Sequence, residues 1–446
     1  MSATPSSPQG NSPESSDVLR ERLKKTTAAY SRFVPREFLN LLGIEDIRKV
    51  ELGQQVERKM TVLFCDIRNF TALSETMSPQ ENFNFLNSYL VQMEPVITAH
   101  GGFIDKYIGD AIMALFPDSP DEALRCAQAM LRQLDEYNYG RQRAGYRPIR
   151  IGIGINTGIV ILGTIGGAAR MDGTVIGDAV NLAARLERLT KEYRVSILIS
   201  DYTLYSLDRP QDWSIRFLDR TQVRGKQGSH SVYEVFNSDA PELADAKRRT
   251  LKQFEQALAC YHVGDATAAR ARLVDYAAAV PEDTAVHVYL ERCNPLAENY
   301  GPPRADLTPH WHEMYSYGLS KVDTVHQNLL ADMNALSKAL HDNHLEQTGQ
   351  LLEQIRRAAE ADFRIEEDLM RESDYPFLDL HARQHQRFFE YFEELRREIA
   401  SGEEDRIYLL FRIKRYFSGW LVNHIVSADR HFGHFRRSQG ASGNAT

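Results

Sequence analysis

Apolar residues along the chain follow two different repeats, which separate a strand-rich part from a helical part. Up to Phe236, short apolar runs bounded by Gly, Asp and Asn alternate with stretches of helical periodicity. The pattern predicts helices at Pro79 to Ile97 and Asp121 to Tyr137, and strands at Met60 to Cys65, Phe103 to Ile108, Ala111 to Phe116, Arg150 to Asn156 and Ile159 to Ile165. This βαββαββ order is typical of a ferredoxin-like α+β fold.

Glycine and aspartate mark the expected turns and helix starts of this first domain. Gly109 joins the second and third strands, and Gly158 is expected in a tight turn between the fourth and fifth. Asp178 is placed to act as the N-cap of a helix from Ala179 to Leu189. A dinucleotide-binding loop is not expected at residues 152–158, because the glycines there lie within strands and their spacing differs from such a loop.

The remainder of the chain has helical periodicity throughout. Ala244 to Leu296 is rich in Ala, Arg and Leu, and the pair Gly264-Asp265 separates two helical stretches, as in a tetratricopeptide-like helix pair. Four longer helical patterns with short joins then predict an all-α four-helix bundle: Trp311 to Asn343, Leu345 to Arg371, Phe377 to Ala400 and Asp405 to Phe435. We therefore expect a short helical connector followed by an up-down bundle.

Shifts in composition give the expected domain boundaries. The Ser- and Pro-rich N-terminus predicts a disordered leader, and the Gly-Pro-Pro run at residues 301–303 separates the connector from the bundle. The expected organisation is a leader at 1–17, a helical or linker segment at 18–58, the strand-rich domain at 59–237, the connector at 242–300, the bundle at 307–437 and a disordered tail at 438–446.

Composition excludes several classes of protein. Hydrophobic residues make up 43% of the 446 positions, enough to bury several cores, and a net charge of -8 argues against nucleic-acid binding. Four cysteines without paired spacing fit reduced thiols in a cytoplasmic protein: Cys65, Cys126, Cys260 and Cys293. Apolar stretches are too short to cross a bilayer, so no membrane partner is expected.

Two acids lie at the ends of neighbouring predicted strands. Asp66 ends the first strand and Asp110 lies in the turn of the first hairpin, and neither has an evident structural task. Paired carboxylates of this kind can hold Mg²⁺ at a phosphate site, because that ion prefers a few carboxylates and shares its other positions with water and phosphate. Solvated turn acids are the alternative, and position alone leaves both interpretations open.

The sequences around these acids resemble a known family. Residues 61–71 (TVLFCDIRNFT) and 103–116 (FIDKYIGDAIMALF) resemble the metal-binding segments of class III nucleotidyl cyclases, and residues 174–187 (TVIGDAVNLAARLE) resemble their transition-state segment. The resemblance covers about residues 30–236, with the three segments in the family's order. It implies a cyclase that closes a nucleoside triphosphate into a 3′,5′-cyclic nucleotide and releases pyrophosphate.

The resemblance also implies a role for each matching residue. Two Mg²⁺ or Mn²⁺ ions would be held at Asp66, Ile67 and Asp110, while Asn181 would orient the ribose and Arg185 would stabilise charge on the α-phosphate. Lys106 and Thr174 match the residues that read the base, and their hydrogen-bonding polarity favours ATP over GTP. Arg224 or Lys226 would contact the triphosphate. Family members share each site between two subunits, so a homodimer is implied.

Histidines and acids recur at helical spacing in the predicted bundle. His381 and His385 lie four residues apart on one helix, and Asp362 and Glu366 lie four apart on the preceding one. The first helix contributes one further candidate ligand, His326, and the last helix contributes two, His424 and Asp429. Inward imidazole and carboxylate groups from every helix of a bundle can bind two irons.

These positions resemble those of bacterial hemerythrins. The matching segments are VDTVH at 322–326, FRIEEDLM at 363–370, HARQH at 381–385 and WLVNHIVSAD at 420–429. The resemblance implies a non-haem diiron site in which one iron is held by His381, His385 and His424, the other partly by His326, and both are bridged by Glu366 and Asp429. Asp362 stands where the family has histidine, and this harder ligand should favour ferric iron and weaken dioxygen binding.

The leading hypothesis is an adenylyl cyclase whose output depends on the state of the diiron bundle, relayed through the connector. Bicarbonate and dioxygen are candidate regulators by analogy with the two families. The alternatives are a guanylyl cyclase, and an iron- or oxygen-binding protein whose cyclase domain is largely structural. The joint presence of Asp66, Lys106, Asp110, Thr174, Asn181 and Arg185 weighs against the structural alternative.

Overall fold

A computed structural model describes residues 16–30, 35–167, 170–222, 229–294, 311, 315–316 and 320–442. The expected leader up to residue 15, the connector–bundle boundary at 295–310, Arg224 and Lys226 lie outside the described residues. By its internal contacts the chain forms two compact units. One comprises the described residues up to Arg58 with Ile161–Ile176, and the other comprises Lys59–Val160 with the described residues from Gly177 onward.

The strand-rich domain is built on one mixed β-sheet. Its strands are β1 (Gln55–Ile67), β2 (Phe103–Ile108), β3 (Ala111–Phe116), β4 (Ile151–Gly167), β5 (Arg170–Ile176), β6 (Ile197–Ser200), β7 (Ile215–Gln222) and β8 (Ser229–Val235). The strand order is β2-β3-β1-β4-β6-β8-β7, and β5 pairs with β4. Only the β4–β6 pair among the registered pairs is parallel.

The helices described in this domain and in the connector precede the strands along the chain, lie between them or follow them. They are α1 (Ser16–Tyr30), α2 (Arg36–Leu41), α3 (Phe70–Ser74), α4 (Pro79–Ala99), α5 (Pro120–Arg143), α6 (Asp178–Tyr193), α7 (Asp201–Ser206), α8 (Pro241–Arg249), α9 (Leu251–His262), α10 (Ala266–Ala279) and α11 (Ala285–Arg292). Ser78 caps α4 through a reciprocal capping box with Glu81. The predicted α+β fold class is confirmed.

The turn predicted at Gly158 is wrong. β4 runs unbroken from Ile151 to Gly167, and the hairpin is instead formed with β5, in a register that pairs Ile161 with Ile176. The glycines of β4 serve packing: a Cβ at Gly154 would lie 2.1 Å from the backbone nitrogen of Glu187, and one at Gly158 would lie 2.9 Å from Cβ of Ala179. Helix α6 therefore lies directly on the strand, which a larger side chain would prevent.

The N-cap predicted at Asp178 is also wrong by one residue. Gly177 is the N-cap of α6 and makes no side-chain cap, while Asp178 is the first helical residue. A carboxylate in the first turn still interacts favourably with the positive end of the helix dipole. The helix runs four residues beyond the predicted end at Leu189 and finishes at Tyr193.

The connector contains the predicted helix pair and two further helices. Asp265 caps α10 by accepting a hydrogen bond from the Ala268 amide, and Gly264 before it has φ +92°, which favours glycine. Helices α8 and α11 flank the pair. Arg216 of β7 is fully buried and pairs with Asp283, between α10 and α11, so the connector is joined to the sheet by a buried ion pair.

The C-terminal bundle is formed by α12 (Ser320–His341), α13 (Leu345–Glu372), α14 (Leu378–Ser401) and a fourth, interrupted helix. The fourth consists of α15 (Arg406–Arg412), α16 (Gly419–His424) and α17 (Arg430–Ser442), separated by π-helical turns at Ile413–Ser418 and Ile425–Asp429. Such turns shift the backbone hydrogen bonds from i+4 to i+5 and are frequent at functional sites. The helix continues to Ser442, into the segment expected to be a disordered tail.

The bundle contacts the sheet directly as well as through the connector. The Arg415 guanidinium lies 4.1 Å from the centre of the Phe217 ring on β7, and the ring of Phe411 meets the same phenylalanine at 5.3 Å. Tyr391 on α14 makes an edge contact with Tyr205 on α7. Across the described residues, every helix is too short or too polar to cross a bilayer.

Candidate catalytic and metal sites

Pairing of β1 with β3 brings two acids together at the edge of the first domain. Cys65 is in register with Ile112, so Asp66 at the end of β1 lies beside the turn that carries Asp110. The Ile67 amide donates a hydrogen bond to Asp110 Oδ2 at 3.3 Å. Asp66 and Asp110, which the sequence predicts to form one metal site, are therefore neighbours in space.

Burial and the position of Asp110 next to Asp66 make the Asp110 carboxyl hard to ionise. Burial raises the pKa of Asp110 to about 7, and a hydrogen bond with Asp66 and the charge of Asp66 add to that increase. Two adjacent carboxyls that resist ionising together can bind a divalent cation, which removes their mutual repulsion. Carboxylate oxygens suit a hard ion such as Mg²⁺ or Mn²⁺.

Lys191 is a neighbour of this site that sequence reasoning missed. Its Nζ makes a short ion pair with Asp66 Oδ2 and lies 3.4 Å from Oε1 of Glu187, one turn earlier on α6. The i,i+4 spacing of Glu187 and Lys191 on one helix was readable, but the contact with Asp66 joins elements 125 residues apart. The acid pair therefore has a cationic counterpart within the same chain.

Metal binding at the acid pair should be sensitive to pH near neutrality. Because the pKa of Asp110 is raised to about 7, that group carries a proton below this pH and the incoming cation must displace it. We expect the apparent Mn²⁺ affinity of the protein to fall about tenfold per pH unit below 7, and to level off above it.

Infrared difference spectra of the metal-free protein measure the protonation of Asp110 directly. A protonated carboxyl band should disappear as the pH rises through 7, and the Asp110→Asn variant should lack that transition. An Mn²⁺ affinity that is constant between pH 5.5 and 7 would contradict the assignment.

The predicted base and phosphate ligands occupy three separate elements. Asn181 is exposed and Arg185 is half-buried on α6, whose buried face is Ala179, Leu182, Ala183 and Leu186. Lys106 on β2 is half-buried and its Nζ lies 3.2 Å from Oδ2 of the buried Asp105, a residue that the sequence did not single out. Thr174 on β5 lies opposite Gly163. Both belong to the compact unit that does not contain Lys106, Asn181 or Arg185.

In the bundle, three histidines converge on one carboxylate. His385 Nε2 lies 3.1 Å from His424 Nε2, which lies 3.2 Å from His381 Nε2. Glu366 Oε2 lies 3.5 Å from His381 Nε2 and 3.3 Å from His385 Nε2. All four residues are buried, and each offers one ligand atom such that these atoms lie within 4.8 Å of one another.

A second cluster adjoins the first through the same glutamate. His326 Nε2 lies 3.2 Å from Glu366 Oε1, 3.0 Å from Asp362 Oδ2 and 3.7 Å from Asp429 Oδ2. Asp429 Oδ1 lies 3.1 Å from His424 Nε2 in the first cluster. Glu366 and Asp429 thus reach both clusters, which is the arrangement predicted for bridging ligands.

The carboxylate oxygens and ring nitrogens of both clusters are suited to binding metal ions. The carboxylate oxygens of Asp362 and Asp429 are buried, and they face histidine nitrogens of the same clusters at 3.0 to 3.7 Å. Several buried carboxylates so close to one another are costly without a counter-charge, and a bound cation would supply it. Burial and the neighbouring His385 and His424 lower the pKa of His381 to about 4, so its ring is neutral, the form that binds metal.

Four residues around the histidines fix the orientation of the rings. Glu367 Oε1 lies 2.8 Å from His385 Nδ1, and Gln384 Oε1 lies 2.9 Å from His424 Nδ1, so the far nitrogens face inward. Phe363 stacks on His385 at 3.8 Å and Trp420 stacks on His424 at 4.6 Å. In the sequence, only their closeness to predicted ligands could have indicated these four supporting residues.

Two family profiles match separate parts of the chain. Residues 52–236 match the adenylate and guanylate cyclase catalytic domain, and residues 317–433 match the hemerythrin HHE cation binding domain. The first range contains the acid pair and α6, and the second contains every histidine and acid of the two bundle clusters.

Curated relatives match over part of their length. An adenylate cyclase of Anabaena cylindrica is 47% identical over 220 residues, which are 48% of this chain and 44% of that protein. The terminal-differentiation specific adenylate cyclase of Dictyostelium discoideum is 36% identical over 290 residues, or 64% of this chain and 14% of that protein. The chain thus spans less than half the length of either relative.

A solved structure is also similar to the first domain. The crystal structure of the guanylyl cyclase Cya2 is 35% identical, covers 42% of this chain and 95% of its own, and aligns with a TM-score of 0.38.

Proposed function

Because residues 52–236 are a class III nucleotidyl cyclase catalytic domain and residues 317–433 are a hemerythrin-type domain, we propose that the chain is an adenylyl cyclase regulated by iron in its bundle. The cyclase would convert ATP to 3′,5′-cyclic AMP and pyrophosphate. The observation that carries the proposal is the contact between Asp66 and Asp110, held by the Ile67 amide. Relatives named adenylate cyclases support the choice of reaction.

The residues of the chain divide the chemistry among them. When bound at Asp66, Ile67 and Asp110, two divalent cations would supply positive charge to the triphosphate and acidify the ribose 3′-hydroxyl. Asn181 orients the ribose, and the Arg185 guanidinium stabilises the additional charge on the α-phosphate. The 3′-oxygen bonds to the α-phosphorus, the bond from that phosphorus to pyrophosphate breaks, and the hydroxyl proton passes to solvent.

Base choice would be set by two polar side chains. The Lys106 ammonium donates to adenine N1 and the Thr174 hydroxyl accepts from the N6 amino group, whereas guanine presents the opposite polarity at both positions. Asp105 Oδ2 lies 3.2 Å from the Lys106 ammonium and forms an ion pair with it. Arg224 or Lys226 would contact the triphosphate. Assays with ATP and GTP in parallel distinguish the adenylyl from the guanylyl assignment.

We infer that two copies of the chain share each active site, with metal ligands from one subunit and Asn181 and Arg185 from the other. Exposure of Asn181 and partial exposure of Arg185 on the outer face of α6 leave both available to a second subunit. Mixing the inactive variants Asp66→Ala and Arg185→Ala should restore about a quarter of wild-type activity, because half of the chains form heterodimers with one intact site each.

The control for that mixture is each variant dimer alone, which should stay inactive at the same total concentration. Heterodimers formed from differently tagged chains and isolated before assay remove any dependence on exchange. Well-folded heterodimers without activity would exclude the shared site.

For the bundle, we propose a diiron centre with the ligands predicted from the sequence. His381, His385 and His424 would hold one iron, His326 and Asp362 the other, and Glu366 and Asp429 would bridge them. The harder Asp362 ligand suits a redox or metal sensor better than a dioxygen store. Bicarbonate and dioxygen are the regulators to test, and four buried free cysteines fit a cytoplasmic setting.

A further inference from the structure

A residue next to one of the bundle histidines makes a buried contact with the cyclase domain. Asn423 on α16 precedes His424 and is 6% exposed, and its Nδ2 donates a short hydrogen bond to Asp201 Oδ2. Asp201, which is 1% exposed, is the first residue of α7 and also accepts from the backbone amides of Tyr202 and Ser231 at 3.0 and 3.1 Å. The bundle thus supplies one of three donors to a buried carboxylate of the other domain.

Asp201 is linked through its chain neighbour Ser200 and two hydrogen bonds to the helix that carries the proposed catalytic residues. Ser200, the N-cap of α7 and the neighbour of Asp201, donates through Oγ to Asn156 Oδ1 at 2.5 Å. Asn156 Nδ2 donates to the carbonyl oxygen of Ala179 at 3.0 Å. Ala179 lies in the first turn of α6, two residues before Asn181.

Close packing makes this connection stiff. Asn156 lies on β4 between Gly154 and Gly158, the two glycines whose missing side chains allow α6 to rest on the strand. Ser200 is 0% exposed and Asn156 is 1% exposed, so water cannot replace either partner if the connection shifts. A displacement at Asp201 is therefore transmitted to the first turn of α6 rather than absorbed by solvent.

The other end of the connection lies beside the metal clusters. Ser427, in the π-helical turn Ile425–Asp429, donates through Oγ to the carbonyl oxygen of Asn423 at 2.6 Å and also bonds Tyr202. The turn ends at Asp429, whose Oδ1 lies 3.1 Å from His424 Nε2. Asn423 thus directly precedes one proposed metal ligand and is hydrogen-bonded to the π-turn that ends at the other, and such a turn can rewind by one residue.

We propose that Asn423 is a positioning residue for the cyclase reaction. Acting through Asp201, Ser200 and Asn156, it holds the first turn of α6 in the geometry that Asn181 and Arg185 require. Metal at His424 and Asp429 sets the position of Asn423, which makes this contact the route by which the bundle acts on the active site. This inference rests on the proposed function.

Steady-state kinetics of the full-length protein, iron-loaded and chelator-treated, test the proposal. Asn423→Ala removes the donor, and Asn423→Leu removes it while keeping the packing volume. Both should retain wild-type iron content, because Asn423 offers no ligand. In both, kcat with ATP should fall about tenfold with KM changed less than about twofold, since Arg185 acts in the transition state. The difference in kcat between loaded and metal-free protein should disappear.

A rescue and a matched control separate positioning from general damage. Asn423→Gln keeps an amide donor for Asp201 Oδ2, the oxygen that also accepts from the Ser231 amide, and should retain at least half of the kcat that Asn423→Leu loses. Gln354→Ala removes an amide-to-carboxylate hydrogen bond of the bundle, from the exposed Gln354 to the half-buried Asp332, and should leave both kcat and its iron response as in the wild type.

Hydrogen exchange gives a readout that does not need catalysis. Backbone amides of residues 179–182 should exchange faster in Asn423→Leu than in the wild type, and the same amides should respond to iron loading in the wild type alone. If the wild-type chain cyclises neither ATP nor GTP, the proposed function fails. The exchange measurement still tests whether Asn423 is coupled to the first turn of α6. The proposal would be overturned if the Asn423→Leu variant showed the wild-type rate of amide hydrogen exchange at residues 179–182 together with the wild-type kcat.

Discussion

Asp110→Asn is expected to lower kcat by about a thousandfold while leaving the protein folded. The asparagine keeps the size of the side chain and can still accept the hydrogen bond from the Ile67 amide, so the hairpin turn should persist. It removes a negative charge at the site of the two cations, whose function is to neutralise the triphosphate. The measurement is cyclic AMP formation with saturating ATP and Mn²⁺, together with thermal unfolding.

The matched control is Asp135→Asn, an exposed acid on α5 that lies in the same domain. This variant should match the wild type in kcat. The companion variant Asp66→Asn should be as inactive as Asp110→Asn, and it also frees Lys191 from its ion pair. Undiminished cyclisation by both folded variants would remove the basis for a metal-dependent cyclase.

Glu366→Gln is expected to lower iron binding from about two ions per chain to fewer than one, because Glu366, like Asp429, has two oxygens that face different clusters. Its Oε1 lies 3.2 Å from His326 Nε2, and its Oε2 lies 3.3 Å from His385 Nε2. Loss of one ligand shared by both ions should weaken each by at least about tenfold. Metal analysis after dialysis gives the stoichiometry, and the iron-dependent rise in melting temperature should disappear with it.

Glu360→Gln on the same helix serves as the control, because that acid is exposed and contacts only the neighbouring Arg356 at 3.8 Å among the ion pairs described. It should bind iron as the wild type does. Asp362→His supplies the residue type of the related family and should change the autoxidation rate of reduced iron without lowering the stoichiometry. Two irons bound by Glu366→Gln would contradict the bridging role.

Short-range rules explain how much of the cyclase domain the sequence predicted. The hairpin around Gly109 and Asp110 has the predicted bounds on both strands, because an apolar run, a turn and a second apolar run specify each other locally. Residues 152–158 show the limit of such rules. A glycine between two apolar runs is compatible with a turn, and only contact with α6 decides that Gly158 lies within a strand.

In the bundle, too, short-range rules predicted some features and tertiary contacts decided others. Helical spacing placed His381 and His385 on one face and Asp362 and Glu366 on another, and the structure brings those faces together with His326 and Asp429. Periodicity could not place the π-helical turns of the last helix, since the i+5 hydrogen bonds there depend on what packs around the chain. It also could not show that Asn423 faces the sheet.

By itself, the sequence determined the residue types and local spacings that specify the chemistry: the acid pair, the Asn181 and Arg185 helix, and the histidines of the bundle. Tertiary structure alone decided the contacts between distant segments, namely Lys191 with Asp66 and Asn423 with Asp201. The physical reason is that local hydrogen bonding and hydrophobic periodicity act within about ten residues, whereas a buried polar contact depends on which faces the whole fold brings together.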